Sequence, residues 1–220
     1  MELTRDGAQH FPAALTPDQL AQLEIALAPV SADSAGTRLH GIPGLNPLLA
    51  AAGPVGRIAA MILGSGVAPV RALLFNKTPN QNWALGWHQD RTIVVQERVE
   101  TPGFGAWTIK SGLRHAEPPF ALLERMLTLR VHLDPIDEAN APLLIVPGSH
   151  RLGRIPEPEI AHAVARLGTR TCLAERGDIW LYATPILHAS EAARDPRTRR
   201  VLQIDYSADA LPGELEWLAL

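Results

Sequence analysis

The chain has 220 residues, 46% of them hydrophobic and 20% charged, which supplies a cored domain and excludes a disordered or low-complexity chain. A formal net charge of -3 leaves no basic field for nucleic acid or an anionic membrane surface. A single cysteine, Cys172, stands against eight histidines, which excludes a disulfide framework and any cysteine-rich metal or cluster site. Any bound metal is therefore expected on imidazole and carboxylate.

The first residues, Met1 to Asp6, carry early charges and no apolar run, so no secretory leader is expected. Thr16-Pro17 reads as an N-cap and first helical residue, and Leu20, Leu23, Ile25 and Leu27 give a helix with a broad apolar face up to Pro29. Ser31 to Pro47, rich in Gly, Pro, Ser and Asn, reads as loop. An Ala-rich helix is expected from Pro54 to Leu63, ending at Gly64. The longest uncharged apolar stretch, Ile58 to Val70, is broken by Gly64, Gly66 and Pro69 and falls short of the ~20 residues of a membrane-spanning helix. A cytoplasmic protein is the expectation.

From Arg71 onward the texture changes to short β-like runs separated by turn chemistry. Eight strands are expected: Arg71–Asn76, Trp87–Gln96, Leu127–Leu133, Leu143–Val146, Thr169–Leu173, Asp178–Ala183, Ile186–Glu191 and Arg199–Tyr206. A Gly-, Pro- and Trp-rich insert (98–119) reads as a long loop and candidate lid, followed by a short helix, Phe120–Arg125. Pro156 to Leu167 reads as a helix on the outside. Without a helix after every strand, this pattern fits a jelly roll rather than a parallel α/β sheet. The expected fold is mainly β: one domain (1–220), with helical N-terminal support (1–70) and a double-stranded β-helix core (71–206).

The sharpest local signal is Trp87-His88-Gln89-Asp90. Residues two apart on a strand share a face, so His88 and Asp90 point together while Trp87 and Gln89 point away. With a distal histidine they would form the two-His-one-carboxylate set of non-haem iron oxygenases. A second His-x-Asp, His132-Leu133-Asp134, is the internal competitor, but Asp134 runs into Pro135 and leaves the strand. His132, sharing a face with Thr128 and Arg130, reads as a pocket-lining or core histidine. The distal ligand is expected at His188, with Ser190 on the same face. Arg199 or Arg200 opens the last strand, and alternation allows only one of them inward, where a guanidinium would capture a carboxylate bidentately.

In order and spacing, Asn76-Lys77-Thr78-Pro79, Trp87-His88-Gln89-Asp90, Asn140-Ala141-Pro142 running into Pro147-Gly148-Ser149-His150, His188-Ala189-Ser190 and Arg199 resemble the phytanoyl-CoA dioxygenase family. The resemblance spans roughly residues 70 to 206. It implies an Fe(II)- and 2-oxoglutarate-dependent dioxygenase that consumes O2 and releases succinate and carbon dioxide while hydroxylating a small molecule. It implies His88, Asp90 and His188 as iron ligands, Arg199 and Ser190 as anchors of the cosubstrate's distal carboxylate, and Leu73 and Arg130 along its length. The family shows Asn-Gly where this chain has Asn140-Ala141. Relatives that halogenate carry a small residue at the carboxylate position, so Asp90 implies hydroxylation.

For the substrate, Trp107 is placed to cap an apolar group or to pack the insert on the barrel. Lys110, Arg114 and His115 are placed to meet an anion or to be solvated. Lys77 precedes the metal strand and points to cosubstrate or solvent. Two further readings stay open on the residues alone: a cupin-like metalloenzyme that does not use 2-oxoglutarate, and a non-catalytic binding jelly roll.

Overall fold

A computed structural model of the chain describes residues 1–31 and 34–220. The N-terminal third runs α1 (Leu3–Asp6), β1 (Ala8–Phe11), α2 (Pro17–Leu27), β2 (Gly36–Leu39), α3 (Leu45–Leu49) and α4 (Gly56–Leu63). Next come β3 (Ala68–Lys77), β4 (Leu85–His88), β5 (Ile93–Val95), β6 (Gly105–Lys110), β7 (Leu113–Glu117), α5 (Phe120–Leu123) and β8 (Leu127–His132). The chain closes with β9 (Leu143–Ile145), α6 (Ile160–Leu167), β10 (Arg170–Cys172), β11 (Ile179–Ala183), β12 (His188–Ser190) and β13 (Arg199–Ser207).

The antiparallel strands form a six-stranded sheet in the order β1-β11-β8-β13-β3-β2, a facing four-stranded sheet β10-β9-β12-β4, and a three-stranded sheet β5-β7-β6. This is the jelly roll that the sequence pattern implies. Alternation divides the large sheet chemically. Its outer face carries Ala72, Leu74, Leu129, Val131, Leu202 and Ile204, packed on Leu20, Leu23, Leu45, Leu49 and Ile58 of the helices. The helix α2 begins as expected, because the Thr16 side chain accepts from the Gln19 amide while the Gln19 side chain accepts from the Thr16 amide. Burying this apolar layer, at roughly 25 cal/mol per Å2 of apolar surface, is what holds the N-terminal helices on the barrel.

The inner face is polar. Opposite pairing aligns Arg130, Gln203, Leu73 and Arg38 in one row and Thr128, Asp205 and Arg71 in the next. Buried polar rows of this kind need partners or a ligand.

Several expectations change in the structure. The loop expected over Ser31 to Pro47 contains β2 and the start of α3, with Ala32 and Asp33 outside the described residues. The N-terminal region also supplies β1 and β2 to the large sheet, so it is part of the barrel as well as its helical support. The strand expected over Trp87–Gln96 is interrupted after His88, and its two halves, β4 and β5, join different sheets. The insert (98–119) is a β-hairpin rather than a loop. Ser111 and Gly112 turn it, both with positive φ (51° and 78°), the backbone that a two-residue hairpin loop demands. The apolar C-terminus folds back on its own domain, where Leu215 is buried and Trp217 bridges Val95.

Candidate metal centre and cosubstrate pocket

Gln89 fixes the approach to the site. Buried and pointing away from the cavity, its amide donates to the carbonyls of Gly153 (3.0 Å) and Pro185 (2.8 Å) and accepts from the Ile155 amide (2.9 Å). Trp87, on the same outward side, packs toward Val146, Ile160 and Leu187, where α6 covers the small sheet. With the flanking residues riveted outward, His88 and Asp90 face inward although Asp90 lies two residues beyond the end of β4. His188 pairs directly opposite His88 across β12 and β4. The ligand atoms of His88, Asp90 and His188 all lie within 4.8 Å of one another, the one such group of three among the described residues.

Both imidazoles are held in the tautomer a metal requires. His88 Nδ1 lies 2.8 Å from the Gly86 carbonyl, and His188 Nδ1 lies 2.9 Å from the Ile186 carbonyl. Each Nδ1–H donates to a carbonyl two residues upstream, which leaves Nε2 as the free donor atom. Burial pushes His188 down to about 4, against the opposing pull of Asp90, so it is neutral near pH 7. Burial works to raise the Asp90 pKa, but Arg71 and the neighbouring histidines outweigh it and hold the carboxylate ionised. Arg71 Nη2 donates to Asp90 Oδ2 at 3.2 Å, and Arg71 Nε pairs with Asp205, whose other oxygen accepts from Thr128 at 3.0 Å. Two imidazole Nε2 atoms and an oriented carboxylate form a donor set that fits iron(II).

These residues open on a cavity of about 370 Å3 between the sheets. Leu73, Lys77, Arg130, Ser190 and Arg199 line it together with the triad. Arg199 is buried at 2% exposure and donates to the Ala141 carbonyl, and among the described residues its Nε and that of Arg130 have no hydrogen-bond partner. Burial, reinforced by Arg130, pushes Arg199 down to about 9. Arg200 points the other way, to Asp134 and Glu24. Lys77 Nζ donates to Ser190 Oγ (3.2 Å) and to the Trp83 carbonyl (2.7 Å). Burial, then Arg199 and Arg130, pushes Lys77 down to about 8. This is a polar pocket with surplus positive charge and, among the described residues, no carboxylate paired with Arg130 or Arg199, which suits a dicarboxylate.

Of the residues expected to meet substrate, Lys77, Lys110 and His115 line this cavity, whereas Trp107 and His132 do not. Trp107 packs the hairpin onto the cluster around Ile93, Val95 and Leu122, under the Arg98 guanidinium. His132 is sealed in the interior at 1% exposure, and burial holds it well below the usual histidine range. Its partner in the competing motif, Asp134, pairs with Arg200 instead, so that second His-x-Asp does not converge. Arg114 lies outside the cavity lining and pairs with Glu97 at 3.1 Å. Sequence reasoning missed Arg71, Arg38, Asp205 and Gln203. Gln203 and Asp205 carried a signal, polar residues at alternate positions of the apolar run in β13, whereas Arg71 is a lone polar residue among apolar neighbours and Arg38 lies in the stretch that reads as loop.

A jelly roll that brings His-x-Asp and a distal histidine to the wall of such a pocket defines the non-haem iron oxygenase class. The family model for phytanoyl-CoA dioxygenase matches residues 3–201, and the chain belongs to that family, an enzyme of the iron- and 2-oxoglutarate-dependent oxygenases. The fold is similar to that of EctD from S. alaskensis solved with 2-oxoglutarate and 5-hydroxyectoine: TM-score 0.68 at 20% identity, covering 93% of this chain and 73% of that one. It is also similar to AviO1 from Streptomyces viridochromogenes Tue57: TM-score 0.66 at 21% identity, covering 96% and 94% of the two chains. The epimerase SnoN, solved with Fe3+, alpha ketoglutarate and nogalamycin RO, gives TM-score 0.64 at 17% identity, covering 96% and 88%. No curated protein matches in sequence. Among the described residues no helix is long and apolar enough to cross a membrane.

Proposed function

We propose that this enzyme hydroxylates a small-molecule metabolite, using His88, Asp90 and His188 to hold iron and Arg199, Ser190 and Arg130 to hold 2-oxoglutarate. The carrying observation is that the three ligand atoms meet on the wall of the same cavity that holds two buried, incompletely partnered arginines. When bound, iron and 2-oxoglutarate supply oxygen activation coupled to release of succinate and carbon dioxide. The protein's own part is positional. Arg199 takes the distal carboxylate, Ser190 and Lys77 sit beside it, and Leu73 and Gln203 form the floor. Asp90, steadied by Arg71, occupies the carboxylate position, which leaves no place for a halide and favours hydroxylation. The hairpin β6–β7 bounds the opposite side, where we place the substrate and a lid role for residues 98–119. A cytoplasmic setting accords with a diffusible cosubstrate.

The test is a metabolite screen with Fe(II), 2-oxoglutarate and isotopically labelled dioxygen, read by succinate release and product mass. Hydroxylation gives one labelled oxygen in the product per succinate. Stoichiometric succinate with an unlabelled, epimerised or desaturated product refutes hydroxylation while keeping the class.

A further inference from the structure

The cavity has more positive charge than its cosubstrate uses. Arg38, Arg71, Lys77, Lys110, Arg130 and Arg199 line it, while Asp90 is the one carboxylate in the lining among the described residues. A dicarboxylate and a divalent iron cancel each other, so loading the site leaves this excess in place. Arg71 is neutralised beneath by Asp205 and Asp90. Lys77, Arg130 and Arg199 gather at the Ser190 end. Arg38 and Lys110 remain.

They stand with His115 at the hairpin side of the cavity. His115 is 1% exposed, lines the cavity, and among the described residues neither ring nitrogen has a hydrogen-bond partner. Arg71, Arg38 and Lys110, all cationic, line the cavity with it and, after burial, oppose its protonation. Arg38 Nε is likewise buried without a partner, while its Nη1 donates to Ser111 Oγ at 3.2 Å and so ties β2 to the hairpin tip. Leaving a buried imidazole unsatisfied is costly, a cost that a hydrogen-bonding ligand removes. One N–H from a neutral histidine, a guanidinium and an ammonium match the oxygens of a single oxyanion.

We propose that Arg38, Lys110 and His115 form an oxyanion subsite, so that the substrate is a small metabolite carrying a carboxylate or phosphate, with the carbon to be oxidised held toward the triad. This rests on the oxygenase reading of the cavity. Two segments distant in sequence build the subsite: β2 from the N-terminal region and the hairpin, which contributes a residue from each of its strands. Its assembly therefore gives the insert a specific task.

The experiment uses iron-loaded protein, anaerobic, with and without 2-oxoglutarate, at constant ionic strength so that screening is matched. Inorganic phosphate and acetate are titrated separately by calorimetry, after the affinity for 2-oxoglutarate has been measured. The expected result is binding of phosphate or acetate alongside 2-oxoglutarate, weakened about tenfold by Lys110→Met and by Arg38→Gln. The 2-oxoglutarate affinity stays within about twofold in both variants. Lys110 is exposed, so its variant carries little risk to folding. Tighter phosphate identifies a phosphate ester as substrate, and tighter acetate a carboxylate. Absence of binding by either probe to about 100 mM overturns the proposal, as does binding unchanged in both variants or competitive with 2-oxoglutarate. Failure of 2-oxoglutarate itself to bind would instead overturn the oxygenase reading, a separate signal in the same titration.

Discussion

Replacing Arg199 by methionine separates a residue kept for a ligand from one kept for the fold. In the apoprotein its guanidinium is buried with an unpartnered Nε, and burial together with Arg130 pushes it well below the ordinary guanidinium range, down to about 9. That fall corresponds to roughly 5 kcal/mol against the charged form. The folded-state value lies below the unfolded one, so at pH 7 the wild-type apoprotein carries this cost in full and sheds it as pH rises past about 9. Methionine removes the charge and keeps an apolar stem of similar reach, at the expense of the bond to the Ala141 carbonyl. The net expectation is an apoprotein more stable by about 1–3 kcal/mol, or roughly 2–4 °C in melting temperature for each kcal/mol. Binding responds in the opposite sense: losing the buried carboxylate partner weakens 2-oxoglutarate at least ~100-fold, so the thermal shift it gives the wild type vanishes. Thermal melts with and without 2-oxoglutarate, plus a direct titration, read both effects. A variant that is strongly destabilised yet binds 2-oxoglutarate normally would refute the reasoning.

Ala141 takes φ 51°, the left-handed backbone that glycine adopts freely, at the position where the family shows glycine. Ala141→Gly is therefore expected to stabilise the protein by about 1 kcal/mol in urea melts, and a loss of stability would contradict the strain argument. His132 has a pKa depressed by burial in the folded state, so it makes native stability fall as pH drops below the ordinary histidine range. His132→Leu should leave stability at pH 7 unchanged or higher and flatten this acid slope, and an unaltered slope would show that His132 is not its source. Gln89→Leu abandons three backbone partners, two of them in fully buried bonds, and should cost about 2–4 kcal/mol in denaturant unfolding, together with weaker iron binding. A neutral outcome would remove Gln89 from the account of how the ligands are aimed.

What the sequence revealed of the site and what it concealed have physical causes. His88 and Asp90 were legible because period-two spacing and the proline after Asp134 are local rules. His188 was legible from its order among the strands. The direct pairing of His88 with His188 is a register fact and follows from no local pattern. Arg71, Asp205 and Thr128 lie far apart in sequence and meet as one cross-sheet row, so each alone read as an ordinary strand residue. The hairpin was hidden because glycine and proline punctuation dominates the 98–119 composition, while Ser111-Gly112 alone specifies its turn. β2 was hidden for the same reason in a Gly- and Ser-rich stretch, and with it Arg38. Trp107 shows the other limit: a large aromatic in an insert packs a hairpin as readily as it caps a substrate.

The most direct test of the central claim is anaerobic binding of Fe(II) and 2-oxoglutarate, followed by the weak visible absorption band of the chelate and by calorimetry. The wild type is expected to bind one iron and one 2-oxoglutarate and to show the band, with band and stoichiometric iron both lost in His88→Ala, Asp90→Ala and His188→Ala while each variant still melts cooperatively. No band in the wild type, or a band undiminished in all three variants, would contradict the assignment of the triad.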